Sequence, residues 1–233
     1  MKNCILIPSY NEARTIGVIT KELKSRSLAV FVVDDGSTDE TGSIARSQGA
    51  VVIAHDKNKG KGASLIEGFN RILKEGFDAV LIMDGDGQHA TSDVDNFFKK
   101  MDDSGADIVI GNRMLDTTSM PIARKLTNKF MSRIISRMCG QVIPDTQCGF
   151  KLIKRNVLES IKFEFSNFEI ESEVLFKAAK KGFKIESVPV KTVYAGETSS
   201  INPIFDTIRF LSFLIKMAGL PDCTKTNVRQ AGK

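Results

Sequence analysis

From the N-terminus to about residue 110, apolar runs of about five residues alternate with stretches of helical periodicity. The runs Cys4–Ile7, Ala29–Val33, Ala50–Ala54, Ala79–Met83 and Asp107–Ile110 read as strands. The stretches Glu12–Lys24, Asp39–Ser47, Ala63–Lys74 and Asp93–Met101 read as helices, the third closed by Gly76. Uninterrupted Val/Ile/Leu runs between helices indicate parallel strands covered on both faces, as in a doubly wound sheet. Ligands of such sheets bind at the carboxyl ends of the strands. That directs attention to Pro8–Glu12, Asp34–Ser37, Asp56–Gly62 and Asp84–His89, all of them polar.

The second half has a different pattern. Pro121–Met138 reads as a long amphipathic helix, followed by the loop Asp145-Thr146-Gln147-Cys148-Gly149-Phe150. Then come a strand at Lys151–Ile153, a helix around Ile170–Lys181, strands near Ile185–Val190 and a last helix near Ile204–Met217. No Pro/Gly/Ser linker or internal repeat divides the chain. The expected organisation is a single domain over 1–200, with halves 1–110 and 111–200. An amphipathic helix at 201–220 and a flexible tail at 221–233 complete it.

Within the Pro121–Met138 helix, Lys125, Lys129, Arg133 and Arg137 form a basic stripe beside the apolar Leu126, Phe130, Ile134 and Met138. Such a helix suits either the protein core or an anionic membrane surface. In Ile204–Met217 the polar positions Asp206, Arg209, Ser212 and Lys216 make only a narrow stripe. A helix so apolar must be covered on more than one side. A homodimer partner, another membrane protein or the bilayer interface would cover what the core does not.

Composition adds exclusions. With 233 residues, 42% apolar and 26% charged, the chain is neither disordered nor low-complexity. The net charge of +5 is mild, and Trp 0 with Tyr 2 argues against a base-stacking nucleic-acid platform. Cys4, Cys139, Cys148 and Cys223 are widely spaced, without a C-x-x-C pair, so neither a zinc site nor a disulfide framework is expected. A reducing cytoplasm is the expected compartment. Met1–Pro8 is too short in apolar length for a signal peptide, and no run long enough to span a bilayer occurs.

Candidate chemistry concentrates in Asp84-Gly85-Asp86-Gly87-Gln88-His89, directly after a buried strand. Alternate residues of an extended segment point the same way, so Asp84, Asp86 and Gln88 can converge on one hard cation. The alternatives are a plain acidic turn and an EF-hand loop; the latter fails, because its Gly and Glu positions are His89 and Asp95. Gly60-Lys61-Gly62-Ala63-Ser64 meets neither the P-loop nor the dinucleotide fingerprint. It still offers backbone N–H groups at a helix start, with Lys57, Lys59 and Lys61, to a negative ligand. A solvated basic turn is the plainer reading.

Four segments occur in order: Ile7-Pro8-Ser9-Tyr10-Asn11-Glu12, Val33-Asp34-Asp35-Gly36-Ser37-Thr38-Asp39, Asn58-Lys59-Gly60-Lys61-Gly62 and Asp84-Gly85-Asp86. With them the chain resembles family 2 glycosyltransferases of the GT-A fold, an α/β fold with a mostly parallel central sheet flanked by helices. Within the family it is most similar to the dolichyl-phosphate mannosyltransferase and polyprenyl-phosphate glycosyltransferase branch, from about Asn3 to Ser200. The resemblance implies that Pro8, Tyr10 and Glu12 border the nucleotide base and that Asp35 binds base or ribose. It implies that Asp84 and Asp86, with Gln88, hold Mg²⁺ or Mn²⁺ on the sugar diphosphate. Arg113 then faces phosphate, and Arg124 with Asn128 supplies further phosphate contacts. In Phe168–Leu175, Glu171 aligns with the acid that acts as base in hydroxyl-acceptor relatives, with Glu169 as the alternative register and Asp145 the other acid near the sugar. Sugar binding or loop fixation is the competing role for these acids. One departure concerns the branch: Val193 stands where an arginine precedes a Gly-Glu-Ser-Lys-like segment, here Gly196-Glu197-Thr198-Ser199, and Lys191 is the compensating candidate.

The expected function is metal-dependent inverting transfer of a hexose from a GDP- or UDP-linked donor to a polyprenyl phosphate, by a protein peripheral to the cytoplasmic membrane face. The alternative acceptor is a saccharide hydroxyl. Less favoured are a nucleotidyltransferase, which would carry a Gly-rich, Arg-containing loop in place of Pro8–Glu12, and a non-catalytic nucleotide-sugar binding module.

Overall fold

The computed structural model describes residues 1–118, 120–165 and 169–191. Seven strands form one sheet: β1 (Asn3–Ser9), β2 (Ala29–Asp34), β3 (Val51–Ala54), β4 (Ala79–Ile82), β5 (Ile108–Asn112), β6 (Lys151–Lys154) and β7 (Ile185–Pro189). Their spatial order is β3-β2-β1-β4-β6-β5-β7. Flanking them are α1 (Ile16–Ser25), α2 (Thr41–Ser47), α3 (Lys61–Lys74), α4 (Val94–Ser104), α5 (Ile122–Cys139), α6 (Arg155–Ser160) and α7 (Glu169–Lys180).

The apolar runs fold into the predicted strands, but β3, at the edge of the sheet, is not covered on both faces: Val51 and Ala54 are exposed and Val52 and Ile53 half-buried. Ile5, Leu6 and Ile7 of β1, Val32 and Val33 of β2 and Leu81 of β4 have no exposed surface. All pairings are parallel except those of β6, which runs antiparallel to β4 on one side and to β5 on the other. Ile82 and Ile110 both register with Lys151, so β6 begins where β4 and β5 end. The chain therefore enters β6 at the edge where the parallel strands exit, and the Asp145–Phe150 loop joins the polar loops there.

The first helix is shorter than its periodicity suggests. Asn11 adopts φ +59°, outside helical geometry, and the Glu12 carbonyl accepts the N–H groups of Thr15 and Ile16 before α1 proper begins. Two elements escaped the sequence pattern: the six-residue α6 and a 3₁₀ turn at Thr91–Asp93. No described helix is long and apolar enough to cross a membrane. Expectations for Val193, Gly196–Ser199 and the 201–220 helix fall outside the described residues.

Candidate active site

The loops after β1 and β2 are stitched together. The Asn11 N–H donates to Ser37 Oγ at 2.9 Å, the Thr38 N–H to Asn11 Oδ1 at 2.8 Å and the Glu12 N–H to Thr41 Oγ1 at 2.7 Å. Thr15 Oγ1 then donates to the Gly85 carbonyl at 2.6 Å, tying this pair to the loop after β4. Pro8 is buried within β1, Glu12 is half-buried and Tyr10 is exposed at the lip.

Asp35 is buried and committed to its neighbours. Its Oδ1 lies 2.6 Å from His55 Nδ1 and accepts the Lys59 N–H at 2.9 Å, while Oδ2 accepts the Gly60 N–H at 2.8 Å. The other ring nitrogen of His55 lies 2.9 Å from Glu67 Oε2 on α3. Asp35 thus clamps the turn into α3, where Gly60 sits at φ +93°, a conformation that favours glycine. His55 braces that clamp against the helix behind it.

Lys61, the first residue of α3, bridges two acids. Its Nζ is 2.6 Å from Asp84 Oδ1 and 2.6 Å from Glu171 Oε1. Glu171 Oε2 in turn pairs with Lys151, whose ammonium also donates to the Cys148 carbonyl. His89 Nε2 approaches Asp84 Oδ2 at 3.4 Å. The result is a partly buried chain of contacts, His89, Asp84, Lys61, Glu171 and Lys151, in which the two carboxylates alternate with the two lysine ammoniums. Burial would pull the Lys61 ammonium toward neutrality, but Asp84 and Glu171 outweigh it and hold the charge. Burial pushes the Asp84 and Glu171 carboxyls up, yet the facing cations win and keep both below the usual carboxylate range. Asp86 goes the other way, raised by burial and then by the charge of Asp84.

These residues fit a hard divalent cation. Asp84, Asp86 and Gln88 offer oxygen donors, and the Lys61 ammonium already occupies a cation's place at Asp84. Asp86 Oδ1 accepts the Gln88 N–H at 2.9 Å, which holds the loop compact. A Cβ at Gly149 would strike the Asp84 carboxylate, and one at Gly85 would strike Ser9 Oγ, a buried hydroxyl with no hydrogen-bond partner. No cluster of three His, Cys, Asp or Glu side chains forms a protein-only cage among the described residues. A cation here would complete its shell from water or substrate oxygens, the usual habit of Mg²⁺.

Arg113, after β5, is buried and paired with Asp145. Its Nε donates to Asp145 Oδ2 at 2.7 Å and its Nη2 to Oδ1 at 2.9 Å, and the Arg113 N–H adds a third bond to Oδ2 at 3.1 Å. Asp145 has no exposed surface, so its geometry is that of a clamp on a guanidinium. Asn128 of α5 is buried with its Nδ2 unpaired, and Arg124, one turn earlier, is half-exposed without a carboxylate partner among the described residues. Lys61, Asp84 and Glu171 are thus brought into direct contact, with Asp86 and Gln88 on the same loop; Arg113 and Asp145 form a separate pair.

Sequence reasoning missed the carboxylate pairings of Lys151, His55 and His89. Lys151 reads as one more strand residue, and the only available signal was a lysine opening an otherwise apolar run. His55 and His89 each follow a strand within a polar segment, a position that favours function over packing.

Comparison with known proteins bears on the family and on the fold. The family model described as "Glycosyl transferase family 2" matches residues 4–162. A UDP-N-acetylglucosamine–dolichyl-phosphate N-acetylglucosaminyltransferase of Methanococcus voltae is 28% identical, covering 82% of this chain and 85% of its own. A polyprenol monophosphomannose synthase of Mycolicibacterium smegmatis is 28% identical, covering 81% and 76%. Among solved structures, glucosyl-3-phosphoglycerate synthase of Mycobacterium tuberculosis, in complex with Mn²⁺, UDP and glucosyl-3-phosphoglycerate, shares the fold at TM-score 0.69 and 19% identity, covering 95% of this chain and 81% of that one.

Proposed function

Because the chain belongs to glycosyl transferase family 2, a family of enzymes, we propose that it transfers a hexose with inversion from a nucleotide diphosphate sugar to a polyprenyl phosphate, working at the cytoplasmic face of a membrane. The names of the dolichyl- and polyprenol-linked relatives support the acceptor class. The observation that carries it is the state of the two candidate bases. Glu171 lies between Lys61 and Lys151, and Asp145 is saturated by Arg113. A general base works best with a pKa near the working pH, whereas Glu171 is held below the carboxylate range. A hydroxyl acceptor needs a base to take its proton. A phosphate monoester, with a second pKa of about 6, arrives already ionised.

In this reading Pro8, Tyr10 and Glu12 border the base, and Asp35 holds the Gly60 turn under the donor. Asp84, Asp86 and Gln88 would hold Mg²⁺ or Mn²⁺, which when bound supplies neutralising charge to the diphosphate. Lys61, beside Asp84 at the start of α3, would meet the negative charge of the diphosphate. An acceptor phosphate oxygen forms the new bond to the anomeric carbon while the bond to the nucleoside diphosphate breaks on the opposite face. Arg113, fixed by Asp145, meets phosphate with its planar fork, and Arg124 and Asn128 extend that contact toward the acceptor. The test is incubation with labelled sugar nucleotides, Mn²⁺ and either polyprenyl phosphate or saccharide acceptors. Label in an acid-labile lipid fraction is expected; label in saccharide alone overturns the reading.

A further inference from the structure

Helix α5 has two faces with different obligations. The inner face carries Asn128, Ser132, Ile135 and Cys139, all buried. Ser132 Oγ accepts the Thr146 N–H at 2.9 Å, so the helix braces the loop that holds Asp145. The outer face packs on nothing described. Ile122, Leu126 and Phe130 lie one turn apart and are 77%, 62% and 64% exposed. Most of the large hydrophobic residues exposed on the described surface, Leu115 and Val142 with these three, fall between residues 115 and 142.

The charge on this segment is one-sided. No acid occurs between Asp116 and Asp145, while Arg124, Lys125, Lys129, Arg133 and Arg137 do. None of the five pairs with a carboxylate among the described residues. Ordinary soluble surfaces intersperse the two signs. Beyond the helix, Gly140–Pro144 folds back along α5, and Lys129, Arg133 and Arg137 line an open groove of about 430 Å³ together with Val142, Ile143 and Pro144. Apolar side chains on the first turns, then cations with the exposed Val142 beyond them, match the layering of an anionic bilayer surface, acyl region beside phosphate. A second copy meeting this face symmetrically would set like charges against like.

We propose that the outer face of α5 is a docking surface for anionic phospholipid bilayers, with Ile122, Leu126 and Phe130 entering the headgroup–acyl boundary and Lys129, Arg133 and Arg137 meeting lipid phosphates. The inference deepens the lipid-phosphate reading and rests on it for its purpose: the helix that touches the membrane also braces the Asp145–Arg113 pair.

The test is co-sedimentation of the full chain with phosphatidylcholine vesicles, with and without phosphatidylglycerol. The wild type is expected to pellet with the anionic vesicles and to be released by salt. Removing the charges in Lys129→Ala/Arg133→Ala/Arg137→Ala is expected to weaken binding on the order of 100-fold, at about fivefold per cation. Leu126→Ser/Phe130→Ser should also weaken it. All five positions lie outside the core, so unchanged thermal unfolding serves as the folding control. Wild-type binding by both variants, or no pelleting of the wild type, overturns the proposal. So does a dimer, seen by sedimentation velocity, that these variants dissociate. Activity separates the two readings: both variants should transfer sugar at the wild-type rate to polyprenyl phosphate in detergent, and more slowly to acceptor embedded in vesicles. Anionic-vesicle binding by a wild type that glycosylates no lipid phosphate would refute the acceptor and leave the docking surface standing.

Discussion

Replacing Lys151 by methionine tests the charge chain at its most buried link. Lys151 is 1% exposed, and its ammonium serves both Glu171 and the Cys148 carbonyl. Methionine nearly conserves the volume, so the change isolates the charge. Removing one partner of a buried ion pair costs about 3–5 kcal/mol, a large share of the 5–15 kcal/mol typical of a domain. At about 2–4 °C per kcal/mol for a chain of this size, the melting temperature should fall by roughly 6–20 °C. Lys61 still faces Glu171 from the other side, which places the expectation toward the lower end. A second substitution, Glu171→Gln, should recover a good part of the loss, because the carboxylate that lost its Lys151 partner is then gone. The assay is urea unfolding followed by far-UV circular dichroism for wild type, both single variants and the double variant. A coupling energy of about 1–3 kcal/mol is expected from the cycle. Strict additivity, or a loss under about 1 kcal/mol for Lys151→Met, would refute the reasoning.

Other outcomes follow from the same geometry. His55→Ala removes the brace between Asp35 and Glu67, so the donor KM should rise about tenfold or more with a smaller change in kcat, measured by steady-state kinetics with varied sugar nucleotide; an unchanged KM would count against the brace. Asp86→Asn should abolish the extra thermal stabilisation that Mn²⁺ gives to nucleoside-diphosphate binding while leaving the melting temperature without ligand close to wild type or higher, since Asp86 is the carboxyl raised by burial and by Asp84. Acid stability has a definite sign at Glu171: its folded pKa lies below the ordinary 4.5, so the unfolded chain takes up more protons as pH falls. Its contribution is complete above that value and is lost below it. Denaturant midpoints measured from neutral to acid pH should decline less steeply in Glu171→Gln than in wild type.

Much of this architecture was legible from local pattern. Strands such as Ala79–Met83 announce themselves because burial on both faces leaves only apolar residues, and their exits announce themselves through Asp35, Gly60 and Asp84. Pairings across the chain were not legible. Nothing near Lys151 in sequence says that it will meet Glu171, and nothing near Asp145 says that it will meet Arg113; both contacts depend on where β6 inserts. The direction of β6 was hidden for the same reason, since a four-residue apolar strand reads alike in either orientation. The start of α1 was misplaced because helical periodicity runs through Glu12 while the left-handed Asn11 turn delays the helix. Short side-chain periods carry secondary structure, whereas charge partners are a property of topology.

The placement of β6 also sets the order in which the molecule can assemble during synthesis. β4 and β5 emerge early, yet they are not neighbours; the strand that must lie between them is made about forty residues after β5 ends. At ribosomal rates of roughly 5–20 residues per second, β4 therefore waits several seconds as an open edge, with Val80 and Leu81 unpaired on one side. Such waiting edges invite pairing with the wrong chain. The same strand brings in the Asp145–Phe150 loop and Lys151, so closing the sheet and completing the charge chain are one event. A nascent chain released before Lys154 would be both sticky and inactive.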